Sequence, residues 1–174
     1  MIKGTIALYE RATEWHPTNT GFSMTSLVTI GGKETYRLLY TPQWRTKSVK
    51  YQLNDMSGKL VNEWSQKQRW LGARMDLSIN PDYPLEYIIG WTGGCSFVTP
   101  TKKFRPYFTI LDRSKTAEID GISFEHHDFE SEMNFECEPD RIPQAIMIAN
   151  LLFNIPVKNN DDSLKIDLDI SSDD

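Results

Sequence analysis

The apolar positions of this chain keep one period for most of its length and lose it near the C-terminal end. In "SVKYQLND", residues 48–55, Val49, Tyr51 and Leu53 fall on one side and Lys50 and Gln52 on the other. "RMDLSIN" sets Met75, Leu77 and Ile79 against Asp76 and Ser78, and "EMNFECE" sets Met133, Phe135 and Cys137 against Asn134 and Glu136. A period of two belongs to strands with one buried face. "TSLVTI", "LEYIIGW" and "RPYFTILD" add runs of β-branched and aromatic residues, which suit a pleated surface. Turn signals separate these runs: "IGGKE", "DMSGK", "NPDYP", "WTGGCS", "DRSK" and "EIDG". No stretch of residues 18–136 carries a helical period. Short antiparallel strands at this spacing predict a sandwich or a barrel.

"DRIPQAIMIANLLFN", residues 140–154, breaks the pattern. Ile142, Ala145 to Ala149, Leu151, Leu152 and Phe153 point all around a helical wheel. A helix without a polar face must be enclosed or lie in a membrane. Asp140 suits an N-cap, Pro143 suits the first turn, and Pro156 stops the helix. The economical solution is a mainly β protein: an antiparallel β-barrel wrapping a buried apolar C-terminal helix at about residues 141–155, in one domain spanning 1–156. An open sheet with the helix packed across it is the alternative, with the outer helix face against a second copy. Residues 157–174 form an acidic segment in which "SLKIDLDI" alternates Leu164, Ile166, Leu168 and Ile170 with charged residues, as a further strand would.

Composition narrows the class. The chain has 174 residues, 39% hydrophobic and 25% charged, the profile of one water-facing globular domain. "MIKGTIALYE" lacks the apolar run of a signal peptide. The apolar stretch around Ile146 falls short of the ~20 residues a bilayer-spanning helix needs. No transmembrane segment and a cytoplasmic location are expected. Cys95 and Cys137 stand far apart, without the spacing of a disulfide framework or zinc motif. Charge is divided unevenly. Residues 1–116 hold 16 Lys/Arg and 9 Asp/Glu, a net of +7, whereas residues 117–174 hold 3 and 15, a net of −12. Such a split fits an anionic partner, an internal charge clasp, or two solvated faces.

Three basic–aromatic clusters are the candidate binding residues. "QWRTKSVK" carries Trp44, Arg45, Lys47 and Lys50; "QKQRWLGAR" carries Lys67, Arg69, Trp70 and Arg74; "TKKFRPY" carries Lys102, Lys103, Phe104, Arg105 and Tyr107. A guanidinium fork matches phosphate, and an adjacent aromatic ring suits a lipid interface or a stacked base. Gathered at one barrel end, these side chains would form an anion site. The plainer reading is that loops are charged anyway and that Trp44 and Trp70 help to seal the barrel. "EHHDFESE" offers His126 and Asp128 on one strand face, with Glu125, Glu130 and Glu132 nearby, but no third ligand beyond a distant His16. "TGGCSF" could be drawn as a reactive Cys95 in a glycine loop, with His126 or His127 as base and an acid nearby, but a buried inert thiol is the commoner case. No phosphate-binding glycine loop, hydrolase elbow or paired zinc motif occurs. No catalytic residue, metal site or cofactor is therefore expected.

"YQLNDMSGKLV" and "FTILDRSK", with Asp55 and Asp112 at their corners, and the helix "RIPQAIMIANLLFN" together resemble the tubby C-terminal-like superfamily, which includes the LURP-one-related proteins. The resemblance covers roughly residues 5–155 and is one of layout: the second hairpin has no glycine, and "SLKIDLDI" continues past the helix. It implies a barrel of about a dozen strands around an apolar helix, and a non-enzymatic role in which basic side chains engage phosphoinositide headgroups. A lipocalin-like barrel also places a strand after its helix, but its Gly–x–Trp signature is missing from "KGTIAL". The expected function is a binding or scaffolding module that engages anionic lipid headgroups or another phosphate ligand through basic loops. The alternatives are an inhibitor- or immunity-type interaction protein whose acidic third binds a protein partner, and, last, an enzyme. A nucleic-acid partner is not expected.

Overall fold

The computed structural model describes residues 1–11, 24–43, 48–90, 94–108, 114–127 and 132–153. Among them are β1 (Ile2–Arg11), β2 (Met24–Ile30), β3 (Lys33–Gln43), β4 (Ser48–Asp55), β5 (Leu60–Arg69), β6 (Gly72–Asp76), β7 (Glu86–Gly90), β8 (Cys95–Val98), β9 (Lys103–Phe104), β10 (Ser114–Ile119), β11 (Ile122–His127), β12 (Glu132–Cys137) and one helix, α1 (Ile142–Phe153). The strands form a single sheet in the order β10-β11-β12-β1-β2-β3-β4-β5-β6-β7-β8-β9, every neighbour antiparallel. β12 pairs back onto β1, Cys137 opposite Ile2, so among the described residues only the β9–β10 seam stays unpaired. The sheet is a nearly closed barrel.

Strand alternation sets the two faces. Ile6, Leu38, Tyr51, Leu53, Trp64, Met75, Tyr87, Phe97, Phe124, Met133 and Phe135 are buried, as their period-two positions require. "RMDLSIN" leaves the sheet earlier than its alternation suggests. Asp76 Oδ1 accepts the Ser78 amide at 2.9 Å, and this side-chain turn ends β6. "RPYFTILD" departs further: residues 105–108 form no strand, since Pro106 has no N–H for a ladder. Phe108 is buried instead, with Lys115 Nζ 5.3 Å from its ring centre on the far side of the seam. Residues 109–113, with Asp112, lie outside the described residues.

α1 starts at the mouth where β12 ends and runs toward the opposite rim. None of its twelve residues is exposed; Gln144 to Ala149, Leu151 and Leu152 are buried and the others half-buried. Six consecutive buried positions cover more than a full helical turn, so the helix is surrounded, as its missing polar face requires. Its backbone lies closest to β12, then to β1 and β11. On that side the chain uses Gly4: a Cβ there would sit 2.4 Å from the Phe135 ring and 2.6 Å from Ile30 Cδ1. The far wall supplies larger rings, Tyr51, Trp64, Tyr87 and Phe97.

Two buried polar side chains stand at the mouth. Arg141 is buried, pairs with the Asp120 carboxylate at 2.8 Å, donates to Asp120 O, and stacks on Tyr83 at 4.5 Å. Its Nε donates to Gln144 Oε1 at 2.9 Å. Gln144 Nε2 in turn donates to Leu77 O and Tyr83 O, both at 3.1 Å. The expected Asp140 cap is not made. A 3-10 turn over Pro139–Arg141 leads into the helix, and the Asp140 carboxylate accepts the Tyr83 hydroxyl at 3.0 Å. The aspartate is drawn outward to the β6–β7 loop, which leaves the start of the helix to be fixed by Arg141 and Gln144. At the far rim Lys115 Nζ donates to Phe153 O at 3.5 Å, placing a positive charge where the helix dipole favours one.

Replacing Ile148 with Asp should abolish folding, because the new carboxylate would be buried without a partner. A soluble variant with a cooperative melt would contradict the enclosed helix. The buried acids give a pH prediction. Burial raises the Tyr51 and Tyr87 hydroxyls above their ordinary range, with nearby tyrosines adding for Tyr51 and Cys95 for Tyr87. Burial also pushes the Cys137 thiol up to about 11, with Arg141 pulling the other way. Raised values mean that the folded state keeps protons the unfolded chain gives up. Their contribution is complete below the ordinary thiol value of 9.0 and is lost as pH rises to about 11 and beyond. The melting temperature should fall above that onset, less steeply in Tyr51→Phe; a flat profile on the alkaline side would refute this.

Candidate functional site

With the interior occupied by α1, the outer wall and the hairpin turns remain for binding. β5 and β6 form the hairpin of interest. Lys67 is opposite Arg74, Gln68 opposite Ala73 and Arg69 opposite Gly72, which leaves Trp70 and Leu71 as a two-residue turn. Gly72 makes this turn: its φ is +131°, and a Cβ would lie 1.9 Å from Ile89 O on β7. With the glycine supplying the special backbone, Trp70 and Leu71 need no positive φ, and neither has one. Turn chemistry therefore does not explain why a Trp and a Leu stand here, where polar residues are usual. Trp70 is 98% exposed and Leu71 64%. The expectation that Trp70 helps to seal the barrel is thereby overturned. It is held outside because the hairpin reaches beyond the rim, with Gln66 the last partly covered residue of β5.

Alternation places Lys67 and Arg69 on the outside, since Trp64 on the same strand is buried. Their neighbours divide into two kinds. Lys50 pairs with Glu63 at 2.9 Å, and Arg74 with Glu86 at 2.7 Å. The bond from Lys50, followed by one from Gln52 at 3.0 Å, holds the Glu63 carboxyl below its usual range. Both local carboxylates are thus engaged. Lys67 and Arg69 have no ion-pair partner among the described residues. From Trp64 to Met75 the chain holds three cations and no Asp or Glu.

The sequence-derived cluster does not assemble as one patch. Hairpin ends alternate along an antiparallel sheet, so the β5–β6 turn is on the rim and the β8–β9 turn is at the mouth where α1 starts. Lys102 and Lys103 belong to the latter, four strands or ~19 Å around the wall from β5. Lys102 Nζ sits 4.7 Å over the Phe104 ring, and Arg105 is exposed after β9. Trp44, Arg45 and Lys47 lie outside the described residues, although β3 and β4 on either side of them end beside Lys67, through Gln43 opposite Ser48 and Ser48 opposite Lys67.

The remaining candidates separate as well. Glu125 is exposed on the outer face of β11, whereas His126 is partly buried, its ring edge on Phe153 at 5.3 Å. Asp128, Glu130 and His16 lie outside the described residues. Cys95 hydrogen-bonds Tyr87. No group of three metal-binding side chains comes together among the described residues. On the opposite wall, β10, β11, β12, β1 and β2 enclose an outer groove of about 880 Å3 lined by Glu118, Glu125, Glu136, Thr5 and Asn134, with Lys3 3.9 Å from Glu136. Sequence reasoning missed this groove, because the three glutamates come from three strands.

No helix among the described residues is long and apolar enough to cross a membrane. The chain matches no family model, no curated protein and no solved structure.

Gly72→Ala should destabilise the hairpin by more than ~1 kcal/mol, the usual cost of forcing a side chain into positive φ, with the clash against Ile89 O added. Thermal melts would measure it; a change within a few tenths of a kcal/mol would contradict the Gly72 geometry.

Proposed function

We propose that this chain is a non-enzymatic binding module in which the plugged barrel is a rigid scaffold and the outer β4–β6 wall engages an anionic ligand. The observation that carries this reading is that Lys67 and Arg69 have no counter-charge among the described residues, although the Lys50 and Arg74 charges beside them are both neutralised. Cations left unpaired at a protruding hairpin attract phosphate or carboxylate groups through a field that salt screens strongly. A phosphate-bearing ligand is also what the tubby-like resemblance of the sequence implies.

A second reading has its own observation. The acidic groove on the β10–β12 wall, with Glu118, Glu125 and Glu136, offers a basic protein partner a complementary surface. The charge division of the sequence corresponds to these two walls: the segment supplying β10–β12 is acidic, and the segment supplying β4–β6 is basic.

Inositol hexakisphosphate is a suitable soluble probe. Titration at low salt should show binding that weakens steeply with added salt. Lys67→Ala/Arg69→Ala should lose most of it, and Lys102→Ala/Lys103→Ala/Arg105→Ala should keep most. Equal losses in both variants, or no binding at all, would overturn the assignment to the β5–β6 wall.

A further inference from the structure

We infer that the β5–β6 turn is a membrane anchor: Trp70 and Leu71 enter the interfacial zone of an anionic bilayer while Lys67, Arg69 and Arg74 stay at the headgroups. The inference rests on the reading of this wall as an anion-binding surface, and it names the anion as lipid.

Three observations favour a bilayer over a free phosphate. The first is the tip itself. Trp70 at 98% and Leu71 at 64% are adjacent, apolar and in water, and a free phosphate would gain nothing from them. Tryptophan is the side chain that prefers the boundary between headgroups and hydrocarbon.

The second is depth. Arg69 is one residue behind the tip and Lys67 three residues behind, or ~3 and ~10 Å at strand rise. The polar layer on each side of a bilayer is ~5–7 Å thick, so the cations reach the headgroups as the tip passes below them. Arg74, directly opposite Lys67, is at the same level.

The third is the absence of negative charge from the hairpin itself. The span from Trp64 to Met75 carries no carboxylate, and Glu86 is already paired with Arg74. A protein groove receiving the same tip would have to match a Trp, a Leu and the charges of Lys67 and Arg69 at fixed positions, whereas an anionic lipid surface supplies both chemistries without a matched shape.

The test uses the full chain with phosphatidylcholine vesicles, with and without phosphatidylserine, some carrying bromine on the acyl chains. Because the chain has five tryptophans, Trp70→Phe identifies the quenched signal. Expected is binding that needs phosphatidylserine, with quenching that disappears in Trp70→Phe although that variant still binds. Lys67→Gln/Arg69→Gln should weaken binding roughly 30-fold, at about fivefold per near-surface cation. Trp70→Ala/Leu71→Ser should weaken it at least tenfold while melting like the parent and still binding inositol hexakisphosphate. Vesicle binding without quenching, unchanged in Trp70→Ala/Leu71→Ser, would overturn insertion and leave the anion-binding reading standing. Binding of inositol hexakisphosphate without binding to vesicles would overturn the lipid assignment alone. Failure to bind either would remove both. Self-association that depends on Trp70 and Leu71, without vesicle binding, would overturn the anchor in favour of a second copy of the chain.

Discussion

A helix with no polar face cannot stand at a surface, and most of this architecture follows from that constraint. Each large side chain of α1 gains about 1.5–3 kcal/mol by leaving water, but only if apolar neighbours approach from every direction. A flat sheet covers one side. A sheet curled until β12 meets β1 covers nearly all of them, and among the described residues it also reduces the exposed strand edges to the β9–β10 seam. Phe108 then fills in beside that seam from a segment unable to form a strand of its own.

Enclosure creates a second problem at the mouth, and Arg141 and Gln144 answer it. The β6–β7 connection is irregular, so some of its carbonyls have no ladder partner, and buried carbonyls without donors are costly. Gln144 supplies the donors for Leu77 O and Tyr83 O from inside the helix, and its own oxygen is bonded by Arg141. Arg141 ties the same helix turn to Asp120 in the β10–β11 turn. One polar network thereby fixes the height and rotation of an otherwise featureless apolar cylinder. This suits a buried charge: its net stabilisation is small once desolvation is counted, yet any misplacement of it is expensive.

What the sequence disclosed and what it hid divide along physical lines. Alternation in β4, β6 and β12 and the all-round apolar helix are local signals repeated over many residues, so both the strands and the enclosure were readable. Asp140 was misread as a cap because a nearby hydroxyl, Tyr83, competes for its carboxylate, and sequence spacing does not reveal that competitor. "RPYF" was misread as strand because aromatic content outweighed a single proline. Whether Lys67 and Lys102 share an end depends on the parity of hairpins between them, which requires every strand to be known. Trp70 stood among the candidate binding residues, but its side stayed open: a large apolar residue near a strand also reads as core, and the glycine two residues later is the local hint that it sits in a turn.

That glycine connects the fold to the candidate site. Gly72 packs its backbone against Ile89 O so closely that no side chain fits, and it carries the unusual φ of the turn. The two positions before it are consequently freed from the steric demands that normally make turns polar. Stability within the barrel does not require Trp70, which is almost wholly exposed among the described residues. A rigid barrel therefore presents an apolar pair at the end of a cationic hairpin, and no described residue covers it. Behind it stand Lys67 and Arg69, without an ion-pair partner among the described residues.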